Sequence, residues 1–170
     1  IGGGWGPAVD DWNQTIEGGI YAFDAASGNV KWIFHPRNEV EWWKPTVWTE
    51  HLAVGTDGTI YAAGTEQTLG GGSAVLFALR DLGTNATYAW PRMVDIDRGQ
   101  ARLAEGIALR ETGGQTRRVY ATSGNPFIGI GYIRGGTLVA VDASSGALLW
   151  TFDPELHGGT GAMTGIAIDA

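Results

Sequence analysis

Short runs of β-branched and aromatic residues, each closed by Asp, Ser or Gly, recur along the whole chain and predict strands. Ile20-Tyr21-Ala22-Phe23 and Val30-Lys31-Trp32-Ile33-Phe34 flank one tight turn. In that turn Asp24 can cap through its own carboxylate, and Gly28 can supply a positive φ. Two further strands precede each such hairpin. One set is Thr59-Ile60-Tyr61-Ala62-Ala63 and Arg118-Val119-Tyr120-Ala121-Thr122. An earlier set is Pro7-Ala8-Val9-Asp10, His51-Leu52-Ala53-Val54, Gly106-Ile107-Ala108-Leu109 and Gly165-Ile166-Ala167-Ile168-Asp169. Aligned on the shared Ala, this earlier set falls at 8, 53, 108 and 167, in steps of 45, 55 and 59. The short first step reads as a first unit that lacks a strand, or as one from which residues are missing. No segment longer than about ten residues carries a 3.6-residue period, which excludes a helical solenoid.

The same hairpin is written twice. Residues 18–36 (GGIYAFDAASGNVKWIFHP) and 136–154 (GTLVAVDASSGALLWTFDP) align without a gap at an offset of 118 residues. The pairs Ala22/Ala140, Asp24/Asp142, Gly28/Gly146 and Trp32/Trp150 coincide. A degraded third copy, residues 74–91, keeps Ala78 and Trp90, has Arg80 in place of the Asp, and has a longer turn. The interval therefore holds two units of about 59 residues each. Four antiparallel strands recurring at this spacing predict an all-β fold, a β-propeller of about three four-stranded blades. The boundaries are approximately 1–47, 48–95 and 103–154, with the first strand of a next blade at 163–170. A sandwich would leave the recurrence of one hairpin chemistry unexplained. Propellers close at about 4–8 blades, so the expectation is part of a larger ring, or open edges that pair with another copy.

Composition narrows the partners. The chain has 170 residues with 28 glycines, as a fold with many tight turns requires, and eight tryptophans against five phenylalanines. Something recurrent in this architecture uses a large ring with a polar N–H. The net charge of −7 would repel a phosphate backbone, so no nucleic-acid partner is expected. No cysteine is present for a disulfide, a thiolate site or a nucleophile. No apolar run approaches the roughly 20 residues of a membrane span. The opening Ile1-Gly2-Gly3-Gly4, without an initiator Met or a signal-like segment, reads as a processed or truncated start.

The spacing Ala22-x-Asp24-x-x-Ser27-Gly28-x-x-x-Trp32, matched by Ala140-x-Asp142-x-x-Ser145-Gly146-x-x-x-Trp150, resembles the tryptophan-docking motif of quinoprotein (PQQ-dependent) alcohol dehydrogenase-like propellers. The resemblance implies that Trp32 and Trp150 are structural, each ring packing between neighbouring blades with its N–H bonded to the next blade's backbone. Gly2-Gly3-Gly4-Trp5-Gly6 is similar to the segment that places a Trp under the quinone, which would make Trp5 a cofactor contact. Tyr120-Ala121-Thr122-Ser123-Gly124-Asn125-Pro126 is similar to the run whose Asn binds calcium, which would make Asn125 a metal ligand. An aromatic floor suits a flat quinone, and oxygen donors suit a hard cation. Where the family carries its catalytic Asp, this chain reads Glu41-Trp42-Trp43-Lys44, with Trp43 at the Asp position. The family's adjacent cysteine pair has no counterpart.

Each candidate also has a plainer reading. Trp5 could be a core ring at a blade edge, and Asn125 a turn residue before Pro126. The loop of Glu41, Trp42, Trp43, Lys44 and Trp48 could stack a sugar or a cofactor, or cover a blade end. His35, His51 and His157 are spread across different units and make no metal triad. The pairs Asp10/Asp11 and Asp95/Asp97 follow strand ends, where solvated turn carboxylates are ordinary. Asn13-Gln14-Thr15 and Asn85-Ala86-Thr87 fit the N-glycosylation sequon and suit an extracellular or periplasmic protein. The expectation is a non-catalytic propeller segment that scaffolds, binds or assembles through its open edges. The alternative is part of a PQQ- and Ca²⁺-dependent alcohol dehydrogenase.

Overall fold

The computed structural model describes residues 2–4, 19–36, 47–68, 71–97, 103–124, 135–158, 163 and 165–168. These residues form three antiparallel sheets with no α-helix, so the all-β expectation holds. The first sheet is a meander of β1 (Gly2–Gly4), β2 (Gly19–Phe23) and β3 (Val30–Phe34). The middle sheet runs β4 (Val47–Val54), β5 (Ile60–Thr68), β6 (Gly71–Asp81) and β7 (Ala86–Tyr88). The two-residue β8 (Val94–Asp95) folds back onto β6. The third sheet runs β9 (Leu103–Thr112), β10 (Gln115–Gly124), β11 (Thr137–Asp142) and β12 (Leu148–Phe152), and a 3₁₀ turn follows at Pro154–His157. No helix among the described residues is long and apolar enough to cross a membrane.

Strand pairing places the repeats in register. Ala22 lies opposite Trp32 across β2–β3, and Ala140 opposite Trp150 across β11–β12. In both hairpins the register shifts at the next pair, so the bulge is repeated along with the sequence. Tyr61 faces Ala78 in the middle sheet as Tyr120 faces Ala140 in the third. The strands outrun the apolar runs that announce them. β6 extends back to Gly71, and β10 begins at Gln115, next to the turn glycines Gly113 and Gly114.

The middle sheet is covered on both faces. Ala74 to Leu79 of β6 are all buried, a run that only a doubly covered strand shows. Because side chains alternate along a strand, this run divides between two cores. Ala74, Leu76 and Ala78 join Tyr61, Ala63, Trp90, Val119, Ala121, Val139 and Val141 in a core against the third sheet. Val75, Phe77 and Leu79 join Ile20, Ala22, Trp32, Ile60 and Ala62 in a core against the first. Sheets that follow one another in sequence are therefore stacked face to face.

Asp97 corrects the expectation of a solvated turn carboxylate. It is fully buried. Its carboxylate accepts the Ser73 hydroxyl and the Ala74 amide, each at 3.0 Å, which fastens the β8 return to β6. Asp95 stays exposed and accepts the Asp97 amide.

Candidate functional site

The chemistry that recurs in this chain lies at the joints between sheets. At the second joint, Trp90 leaves the middle sheet just after β7 and donates its Nε1–H to the Ala143 carbonyl of the third sheet at 2.9 Å. Its ring lies over Gly146, where a Cβ would stand 2.8 Å from Trp90 Cδ2. Gly146 also has a φ of +73°, so glycine is required there twice over: by backbone conformation and by the ring above it. Tyr61 tilts against Trp90 at 5.8 Å between ring centroids and directs its hydroxyl to the same carbonyl at 3.5 Å.

At the first joint, Trp32 projects from within β3 of the first sheet. Its Nε1–H donates to the Asp81 carboxylate of the middle sheet at 2.9 Å. Phe34 meets Tyr88 edge-on at 5.1 Å, and Tyr88 in turn meets Phe77. The degraded third copy has thus kept an aspartate, one residue later than the alignment places it. Asp81 also accepts the Gly83 amide at 2.7 Å, so one carboxylate both caps the turn and receives the neighbouring indole. An Asp-x-Gly at the end of an apolar run was the available signal for it.

The turns at Asp142 and Asp24 are built alike. Asp142 Oδ1 accepts the amides and hydroxyls of both Ser144 and Ser145, at 2.7–3.1 Å. Asp24 Oδ1 accepts the amides of Ala26 and Ser27 and the Ser27 hydroxyl. These bonds favour the ionised carboxylate. The Ser144 and Ser145 hydroxyls lead in holding Asp142 below its ordinary value, and the Ser27 amide leads for Asp24. The Gly83 amide leads for Asp81. Glu50 behaves oppositely. It bridges from β4 to the Ala104 amide of the third sheet while accepting the Thr65 hydroxyl, and burial pushes its carboxyl up.

These shifts predict a two-sided pH profile. Groups held low stabilise the fold above the ordinary carboxylate pKa of about 3.9, and that stabilisation is lost as pH falls through their native values. A carboxyl held high binds its proton more tightly in the fold than in the unfolded chain, so stability falls as pH rises through its native value. The urea-unfolding free energy between pH 3 and 7 is expected to decline on both sides of a maximum. Glu50→Gln is expected to remove the decline above the glutamate range and keep the acid-side loss. A variant profile that superimposes on the wild type would contradict this assignment.

The other predicted positions are distributed as follows. Ala22 and Ala140 are buried beneath their hairpins, and Asp24 and Gly28 form an exposed turn. Trp150 differs from Trp32 and Trp90: it is 41% exposed, against 4% and 3% for the other two, and leans on Tyr120. Asn85 sits exposed in the β6–β7 turn, where its carbonyl accepts the Leu82 amide. Trp5, Asn13 and Asn125 lie outside the described residues, as do Asp10, Asp11 and residues 41–44; Trp5 and Asn125 are the next residues after β1 and β10.

Beside Trp90 an open cleft of about 340 Å³ separates the middle and third sheets. Asp57 and Asp142 line it together with Arg80 and Arg117, so its formal charges balance. Among the described residues, no group of three or more His, Cys, Asp or Glu side chains is placed to hold a metal ion. None of the protein-family models, curated proteins or solved structures compared with the chain matches it.

Proposed function

We propose that the chain is a segment of a quinoprotein-type β-propeller that works as a non-catalytic extracellular or periplasmic scaffold, with its three sheets as successive blades. One observation carries this reading. A like joint is used twice, an indole from one sheet donating to an oxygen at the closing turn of the next, first to the Asp81 carboxylate and then to the Ala143 carbonyl. A device repeated between sheets in sequence order belongs to a stack that continues by one rule, and such a stack presents edges and faces to partners. The acidic balance and the sequons at Asn13 and Asn85 suit an extracellular or periplasmic setting.

The quinone and calcium of the dehydrogenase alternative would rest on Trp5 and Asn125, and the described residues hold no group of three or more His, Cys, Asp or Glu placed for a metal ion. The test is to add pyrroloquinoline quinone and Ca²⁺ to the purified chain. A visible spectrum with no bound quinone, and no alcohol-dependent dye reduction, is the expected result. A quinone band lost on chelation, accompanied by turnover, would overturn the scaffold reading.

A further inference from the structure

Two arginines interrupt the repeat, and both line the cleft between the middle and third sheets. In the matched hairpins an aspartate stands two residues after the buried Ala, Asp24 after Ala22 and Asp142 after Ala140. In the middle sheet the residue two after Ala78 is Arg80. Asp81 caps that turn instead, which leaves Arg80 with no part in it. The second interruption is found by counting from the tyrosines that hold equivalent places in β5 and β10. Three residues before Tyr61 stands Gly58, a turn glycine with a φ of +80°, and three before Tyr120 stands Arg117. Arg117 is the extra residue of a β-bulge. Thr116 lies opposite Glu111 and Arg118 opposite Arg110, and Arg117 between them is unmatched. A bulge re-aims a side chain that regular pairing would place elsewhere. The next hairpin holds this one in position, because the Ala143 amide donates to the Arg117 carbonyl at 3.3 Å.

The cleft is balanced in formal charge but not in unspent hydrogen-bonding capacity. Asp57 gives one oxygen to the Thr59 amide and the other to the Thr59 hydroxyl, each at 3.0 Å. Asp142 Oδ1 is taken up by Ser144 and Ser145. Among the described residues, neither Arg80 nor Arg117 has a hydrogen-bond or ion-pair partner for its guanidinium. Both side chains are exposed, permanently charged, and end in a flat fork of donors that matches a carboxylate. The hydroxyls of the cleft are spent in the opposite sense. Thr59 has given its proton to Asp57 and Ser144 its proton to Asp142, so each keeps only lone pairs for a ligand. Lone pairs call for donors, and a bare anion brings none. The complementary ligand therefore carries one oxyanion together with hydroxyl groups. A volume of about 340 Å³ is at the small end of the range for small-molecule sites, about 300–1,000 Å³.

We propose that this cleft binds an acidic sugar of the uronic acid class. Its carboxylate lies between Arg80 and Arg117, and its hydroxyls donate to the oxygens of Thr59 and Ser144. A neutral sugar would leave both guanidiniums unused, and a simple carboxylate would leave the hydroxyl oxygens unused. The site needs only the middle and third sheets, neither a quinone nor a closed ring, so its failure leaves the scaffold reading where it stands.

The test is an NMR titration of the 170-residue chain with glucuronate and galacturonate at millimolar concentration. It is read at the side-chain N–H groups of Arg80 and Arg117 and at the Trp90 indole N–H, which lines the same cleft. Saturable shifts at these three groups are expected. Galactose and acetate each carry half of the recognised chemistry and should bind at least about tenfold more weakly. Arg80→Asp writes the residue of the other two hairpins back into the middle sheet, and Arg117→Gln removes the second charge. Each should weaken uronate binding by at least about tenfold, as loss of a charged donor does, with a urea midpoint close to that of the wild type. Arg118→Gln removes an equal charge one residue away, outside the cleft, and should leave the affinity unchanged. The proposal is overturned by an absence of shifts at the three groups, or by acetate or galactose binding as well as uronate. It is overturned equally by affinity that survives both cleft variants, or that falls as far in Arg118→Gln as in Arg117→Gln.

Discussion

Replacing Trp90 by alanine should cost about 3–5 kcal/mol of unfolding free energy, the range for truncating a large aromatic side chain in a core. Three contributions act together. The ring is 97% buried between two sheets, its removal leaves a void bounded by Tyr61 and Gly146, and the Ala143 carbonyl loses its 2.9 Å donor. A single-domain protein has a stability of only about 5–15 kcal/mol, so this loss removes a large share of it and should appear as a clearly lower urea midpoint. Trp90→Phe isolates the indole nitrogen. It keeps most of the ring and should cost about 1 kcal/mol, because Tyr61 Oη remains near the same carbonyl. Urea titrations of both variants supply the check. Equal losses for Ala and Phe would mean that the hydrogen bond, rather than packing, dominates the joint.

The second large effect is expected at Gly146, with Gly28 as its control. The two glycines share a left-handed backbone, φ of +73° and +72°, so an alanine at either position carries a conformational penalty of about 1–2 kcal/mol. Only at Gly146 would the new methyl also meet the Trp90 ring, and displacing a packed ring adds about 1–3 kcal/mol. Gly146→Ala should therefore be the more destabilising substitution by that difference. Urea titrations of the two variants supply the comparison. Equal losses would show that Trp90 moves aside freely, and the ring would then fix nothing in the turn below it.

The local devices of this fold were legible because each is written in a few adjacent residues. Asp24 to Gly28 and Asp142 to Gly146 encode turns, the flanking β-rich runs encode strands, and the repeated Trp marks a joint before any partner is known. What escaped reading depends on residues distant in sequence. Asp81 took over a cap displaced by one position, because the β6–β7 turn is tighter than the sequence suggests: the Leu82 amide closes on the Asn85 carbonyl, three residues on, where the Asp24 and Asp142 amides close on carbonyls five residues on. Asp97 looked like a surface acid because β8 has two residues, too few for a pattern, and its burial follows from folding back onto Ser73 and Ala74. Trp32 and Trp150 sit in one motif yet differ tenfold in exposure. That difference is decided by whether a sheet stands beyond them. The candidate cofactor contacts Trp5 and Asn125 lie outside the described residues, so the repeat is the part of the reading that geometry supports.

The division of β6 between two cores bears on how such a molecule comes apart. The middle sheet is held by two interfaces, whereas the first and third sheets of an isolated chain are each held by one. Energies then add as in a one-dimensional array, an intrinsic contribution from each sheet plus a coupling to each neighbour. Fraying begins at the ends, and amide exchange is slowest along β6, whose backbone is released only when both couplings are broken.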